Sequence, residues 1–324
     1  MLQDSFGRRF YYLRLSVTDV CNFRCNYCLP DGFQCDKSIP EFLSLKEIGV
    51  YAKAFAALGT EKIRLTGGEP ALRRELPEII AQCKQTEGIK KVAVTTNGYN
   101  LPSVIDSWHD AGLDALNVSI DSLNPANFKK ITGHDRLHKV LVGIERAQSL
   151  GISSIKINAV LLKKDNASEI DQFIEWLKNK PVTLRFIELM QTGDNEAFFK
   201  KQHLSGALII EELINKGWQP IIKAHDAGPA EEYWHPDFQG RVGVIRPYSK
   251  DFCKSCNRLR ISALGKLHLC LFANQGIDLR EYAQAGDAEQ LSKAITGLIM
   301  NKTPSHLLHQ GHSGMIQHLS MLGG

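Results

Sequence analysis

At 324 residues the chain can bury a sizeable core, as one large barrel domain or as two domains. Its composition, 43% hydrophobic, 23% charged and 8% aromatic, is that of an ordinary globular protein. A formal charge of +4 is too small to point to nucleic acid or an anionic membrane surface, so any anionic ligand must be met by local positive charge.

No signal-like apolar stretch follows Met1, and no run of about 18 apolar residues occurs, so the expected setting is a reducing cytoplasm. Eight cysteines in that setting read as metal ligands or free thiols rather than a disulfide framework. Short runs rich in Val, Ile, Leu and Thr at 12–17, 62–66, 91–95, 115–120, 155–161 and 183–188 predict buried strands. Helical spacing fills the gaps at 45–58, 76–85, 101–111, 140–150 and 169–178. Ser44 with Glu47 three residues on reads as a capping box, and Gly59, Gly88, Gly112 and Gly151 stand where helices would stop. Six such β-α units predict a parallel sheet with helical crossovers, either curled into a partial barrel or laid flat as a doubly wound sheet. Beyond about Gly206 the rhythm changes. A helical stretch at 207–216, an extended one at 220–223, a Gly-, Pro- and charge-rich segment at 226–240 and a run at 243–246 precede a cysteine-bearing segment and a helix at 287–301. The expected division is 1–220 for the β-α units and 221–324 for a C-terminal extension.

Cys21, Cys25 and Cys28, spaced C-x-x-x-C-x-x-C, follow the first predicted strand. Thiolates on one short loop suit zinc or an iron–sulfur cluster. Zinc needs a fourth ligand, for which Cys35 is the nearby candidate; a four-iron cluster on three thiolates keeps one iron open. The segment 21–28, with aromatic Tyr27 before the last cysteine, resembles the signature of the radical S-adenosylmethionine (SAM) superfamily. That resemblance implies a partial (βα)6 TIM-type barrel. It also implies a [4Fe-4S] cluster whose open iron binds SAM, and reductive cleavage of SAM to a 5′-deoxyadenosyl radical. It casts Tyr27, Gly68 of the Gly-Gly-Glu-Pro segment 67–70, Ser119 and Met190 as SAM contacts, with Thr95 on the substrate side. Without it, Thr95 and Ser119 read equally well as polar caps at strand ends.

Cys253, Cys256 and Cys270 form a second set, spaced C-x-x-C-x13-C. From the residues alone zinc is the stronger reading, with His268 completing a Cys3His site. The sequence continuing through Asn257-Arg258-Leu259-Arg260 and 265–272 resembles the C-terminal signature of the GTP 3′,8-cyclase family, which opens molybdenum cofactor biosynthesis. The likeness extends to 6–8, 12–19, 131–133, 156–160 and 184–190. It implies a second [4Fe-4S] cluster with an open iron that takes the guanine of GTP, and conversion of GTP to 3′,8-cyclo-7,8-dihydro-GTP. By the same resemblance Arg14, Arg64, Lys156, Arg258, Leu259 and Arg260 contact substrate. Arg258 and Arg260 also act catalytically, as does the C-terminal pair Gly323 and Gly324. A triphosphate independently favours arginine forks, and Arg14, Arg64, Lys156 and Arg185 all fall inside β runs, where burial demands a partner.

Val20 and Ala71 depart from the family's commonest residues, at positions not expected to be ligands. Cys35 and Cys83 read as plain thiols, and His306, His309, His312 and His318 as a solvated tail. The implied partners are GTP, a flavodoxin or ferredoxin as reductant, and cyclic pyranopterin monophosphate synthase downstream. A homodimer is left open, and neither nucleic acid nor membrane is expected. Two rivals are a radical SAM enzyme maturing a peptide and a non-enzymatic zinc module on nucleic acid.

Overall fold

The computed structural model describes residues 1–34, 40–193, 195–225, 227–273, 275–314 and 322. Six β-α units come first: β1 (Tyr12–Thr18), α1 (Leu45–Ala57), β2 (Lys62–Gly67), α2 (Leu76–Gln85), β3 (Lys91–Thr96), α3 (Leu101–Asp110), β4 (Ala115–Ser119), α4 (Pro125–Thr132), α5 (Leu137–Ser149), β5 (Ser154–Leu161), α6 (Ile170–Trp176) and β6 (Thr183–Glu188). There follow α7 (Glu196–Gln202), α8 (Ala207–Asn215), β7 (Gln219–Pro220), β8 (Glu231–Trp234), β9 (Arg241–Ile245), β10 (Arg258–Ile261), β11 (Lys266–His268), β12 (Ile277–Asp278), α9 (Arg280–Ala285) and α10 (Ala288–Ile299).

One sheet runs through both spans, in the order β12-β11-β10-β1-β2-β3-β4-β5-β6-β9-β8-β7. Its centre, β1 to β6, is parallel and is the partial barrel. The C-terminal span extends it at both edges, β10 lying parallel to β1 and β9 parallel to β6. The extension is thus continuous with the barrel wall rather than merely packed on it, because both sheet edges offer backbone donors and acceptors that need partners.

Strand periodicity explains the layers. On β1, Leu13, Leu15 and Val17 join the main core; on β2, Ile63 and Leu65; on β6, Leu184 and Phe186. The alternate positions, Tyr12 and Arg14, Arg64, and Arg185, face the barrel interior and line a cavity there. The apolar half of each strand therefore fastens the helices, leaving a polar interior for chemistry. At α1 the capping box is realised: Ser44 Oγ accepts from Glu47 N, and Ser44 N donates to the Glu47 carboxylate at 2.7 Å. Such a cap contributes about 1 kcal/mol. Arg280 ties the same carboxylate to the C-terminal span at 2.7 Å.

Several boundaries differ from expectation. The helix expected over 169–178 is a short α6 between two 3-10 turns, and α4, α7 and α9 stand where no helix is expected. His306 is not part of a solvated tail: it is buried, with Nε2 2.9 Å from the Pro247 carbonyl and its ring against Phe252 and Phe272. Cys83 is a plain buried thiol, which burial pushes up to about 12. Cys35, His318, Gly323 and Gly324 lie outside the described residues.

Candidate active site

Two cavities share a wall: the first opens at the C-terminal ends of the parallel strands, and the second lies in the barrel interior among their earlier residues, Tyr12, Arg14, Arg64 and Arg185. In barrels of this kind the strand-end loops are where chemistry collects. The first is lined by Cys21, Cys25 and Cys28 from the loop after β1, Gly67 and Gly68 after β2, Asn97 after β3, and Ser119 and Asp121 at β4. Tyr27 lines it as well. The second is lined by Cys253, Cys256 and Cys270 together with Arg14, Arg64, Arg185, Arg258 and Arg260. Thr95, Asn158, Ile187 and Met190 line both.

The cysteine loop is fixed from two sides. Glu69, almost fully buried, accepts from Thr96 Oγ1 at 2.6 Å, Asn97 N at 2.6 Å and Ala71 N at 2.9 Å, joining the ends of β2 and β3. Asn97 then reaches Asn22 Oδ1 at 2.8 Å and Cys21 Sγ at 4.0 Å. On the other side Asp121 accepts from Tyr27 OH and from Val160 N, both at 2.9 Å. The glycines have a reason beyond ligand access. A Cβ on Gly67, at φ +135°, would stand 2.0 Å from the Thr18 carbonyl oxygen, and one on Gly68 2.3 Å from that of Val20. Only glycine allows the β2 end to pass so close beneath the cysteine loop.

The second cavity is defined by charge. Register places Arg14 level with Arg260 on β10 and with Arg64 on β2, so three guanidiniums form a row across adjacent parallel strands. Neighbouring strands lie about 4.8 Å apart, and like charges side by side repel. Among the described residues the cavity has six arginines and one lysine in its lining and no acid. Nε of Arg64, Arg185, Arg258 and Arg260 is buried without a hydrogen-bond partner. Burial draws Arg185 and Arg260 down to about 10, the neighbouring guanidiniums adding to it, while burial raises Tyr12 less than Arg64 and Arg14 lower it, leaving it at about 8. Such a cavity is built to be completed by a polyanion.

The two thiol sets sit in opposite fields. Burial pushes Cys21 up to about 11, and burial with Asp121 beside it pushes Cys25 well above the ordinary thiol range. Burial would also raise Cys256, but Arg258 and Lys302 outweigh it and bring the thiol down to about 6. Among the described residues no three His, Cys, Asp or Glu side chains are gathered for a single metal ion. A four-iron cluster takes each thiolate on a different iron, so thiols ringing a cavity fit it where they do not fit zinc. His268, the fourth zinc ligand in the competing reading, is not part of the cavity lining, and burial holds its imidazole down at about 4.

Residues 15–177 match the Radical SAM superfamily model, and residues 182–308 match Molybdenum Cofactor Synthesis C. The GTP 3′,8-cyclase of Yersinia pestis is 52% identical over 324 residues, covering 100% of this chain and 99% of the relative. The chain belongs to the GTP 3′,8-cyclase family. A second member, from Aeromonas hydrophila subsp. hydrophila, is 53% identical over 328 residues, with 100% and 96% covered. Among solved structures, Streptococcus suis SuiB bound to S-adenosylmethionine aligns with TM-score 0.64 at 12% identity, over 98% of this chain and 77% of that one. That likeness is one of fold: the α/β partial barrel of radical SAM enzymes.

Of the residues that the family resemblance singled out, Tyr27, Gly68, Ser119, Met190, Arg14, Arg64, Thr95, Arg258 and Arg260 line the two cavities. Two do not. Leu259 is 1% exposed and packs in the main core, because strand alternation turns it away from Arg258 and Arg260, leaving only its backbone toward the cavity. Lys156 stands outside the lining, paired with Glu232 at 2.8 Å. Leu322 is buried against Met190 and Leu271, which brings the chain to the shared wall two residues before its end. Sequence reasoning missed Asn97, Asp121 and Asn158, whose types are ordinary at strand ends, and Arg8, Lys302 and His306, which carry no spacing signal.

Proposed function

We propose that the paired cavities are the active site of a GTP 3′,8-cyclase, with SAM on one side of the shared wall and GTP on the other. The observation that carries this is a cavity lined by arginines and, among the described residues, by no acid, with one set of three thiols in its lining and the other set across the shared wall. Cys21, Cys25 and Cys28 would hold one [4Fe-4S] cluster, its open iron left to SAM, and Cys253, Cys256 and Cys270 a second. Bound together, the first cluster and SAM would supply radical chemistry capable of removing a hydrogen atom from the substrate ribose.

This chain's residues do the rest. The Arg260–Arg14–Arg64 row holds the triphosphate by charge-assisted bonds, and the arginine forks fix its register. Lys156, released from Glu232, is a further phosphate contact. Thr95 and Asn158, with buried Oγ1 and Oδ1 atoms free to bond, orient the ribose at the wall. Ile187 and Met190 keep water from the same wall. Gly68, Ser119 and the Tyr27 segment position SAM. Arg258 and Arg260, next to the second thiol set, stabilise negative charge on the cyclising base. Gly323 and Gly324 close the site beyond Leu322. A flavodoxin or ferredoxin supplies electrons in the cytoplasm, and cyclic pyranopterin monophosphate synthase takes the product. Residues 1–220 form the radical SAM barrel, and 221–324 the extension that carries the second cysteine set and adds Arg258 and Arg260 to the substrate site. Among the described residues, no helix is long and apolar enough to cross a membrane.

Metal analysis tests this reading. Anaerobically reconstituted protein should carry iron and sulfide for two four-iron clusters, falling to one when Cys21, Cys25 and Cys28 are replaced by alanine. Zinc in place of iron would overturn it.

A further inference from the structure

Lys302 is a buried cation that the proposed reaction leaves unused. Its residue is 5% exposed, its ammonium donates to the Leu269 carbonyl, one residue before Cys270, and it sits 5.7 Å from the centre of the Phe10 ring. The following residues tie the other arm of the same cysteine set. Arg8 donates to Thr303 O at 2.6 Å, Pro304 O at 2.9 Å and Cys253 O at 3.3 Å, and is itself held by Asp4 at 2.6 Å. Residues 302–304 therefore form a strap, with Arg8 reaching the Cys253 arm and Lys302 the Cys270 arm.

The strand arginines and Lys302 use their donors differently. Arg64, Arg185, Arg258 and Arg260 each leave a buried Nε without a partner. Lys302 instead donates to the thiol loop itself. A fixed positive charge beside an iron–sulfur cluster stabilises the reduced form, which carries one more negative charge, and so raises the reduction potential. The same charge favours deprotonated thiolates as ligands.

We propose that Lys302 is a positioning residue of the second cysteine set, its buried ammonium holding the Cys270 arm in place and raising the reduction potential of the cluster bound there. The inference rests on reading Cys253, Cys256 and Cys270 as cluster ligands. It predicts a role in electron uptake at that cluster, separate from triphosphate binding.

The test compares wild type, Lys302→Arg, Lys302→Gln and Lys302→Met, each as the full chain, reconstituted anaerobically, and again with Cys25→Ala so that only the second cluster is present. Iron per chain and the midpoint potential of that cluster, followed by electron paramagnetic resonance, are the readouts. Lys302→Gln, which keeps a donor for Leu269 O but no charge, should shift the midpoint to more negative potential. Lys302→Arg should restore it toward wild type, and Lys302→Met should also lose iron. A midpoint unchanged in Lys302→Gln would overturn the proposal even if Lys302→Met fails to fold. An equal shift in Lys302→Arg and Lys302→Gln would also overturn it, since packing rather than charge would then be responsible. Wild type holding iron for one cluster only would overturn the underlying reading itself, a result distinct from either.

Discussion

Replacing Arg64 or Arg260 by alanine is expected to weaken GTP binding by roughly 10- to 100-fold each, the loss of one charge-assisted contact at about 1.5–3 kcal/mol. Arg64 is the cleaner probe, because it stands on β2, which carries neither thiol set, whereas Arg260 stands two residues from Arg258, whose guanidinium is 4.0 Å from Cys256 Sγ. The unusual part of the expectation concerns stability. Arg64, Arg14 and Arg260 share one row with no acid among them, so without GTP the wild-type protein carries their repulsion. Arg64→Ala should therefore leave the melting temperature of the nucleotide-free protein unchanged or higher, and should lose most of the stabilisation that GTP gives the wild type. Lysine at the same place restores charge but not the fork, so its affinity should fall between the two. Equal GTP affinity in Arg64→Ala and wild type, measured by calorimetry, would remove triphosphate from this cavity. The row's members are close enough to couple, and a double variant should not lose the sum of the single losses.

The second large effect separates the two cysteine sets. Cys25→Ala should abolish formation of 5′-deoxyadenosine while GTP still binds, since the arginine row lies within β10, β1 and β2 and not on the first cysteine loop. Cys256→Ala should do the reverse. SAM cleavage continues, uncoupled from cyclisation, and GTP affinity drops, because Cys256 opens the loop into β10 and its loss disturbs Arg258 and Arg260 directly. Both readouts come from one chromatographic assay of 5′-deoxyadenosine and cyclised nucleotide. If both variants lost SAM cleavage alike, the sets would not have separate tasks.

The barrel was legible because its strands are buried on both faces. Apolar residues at 13, 15 and 17, or 63 and 65, announce a parallel strand at short range, and most boundaries fall within one or two residues of those expected. The first thiol set was legible for a similar reason, three thiols lying within eight residues. What the sequence did not reveal is pairing over long distances. Nothing local says that Arg258–Ile261 lies beside β1 and not on a separate domain, yet that pairing brings Arg260 level with Arg14 and completes the arginine row. The same gap explains Leu259. In a signature motif it reads as one of three equivalent residues, but once the segment is a strand, alternation sends it into the core. His306 and Lys302 were lost to the expectation of a loose tail, because a strap held by backbone carbonyls and by Arg8 has no periodicity to detect.

The central claim is that the two cavities meet so that the radical made on one side reaches the ribose held on the other. The direct measurement uses GTP deuterated at C3′, with SAM, a strong reductant and the anaerobically reconstituted enzyme, and mass spectrometry of the 5′-deoxyadenosine formed. Deuterium in that product is the predicted result. Unlabelled 5′-deoxyadenosine accompanying cyclised nucleotide would contradict the account.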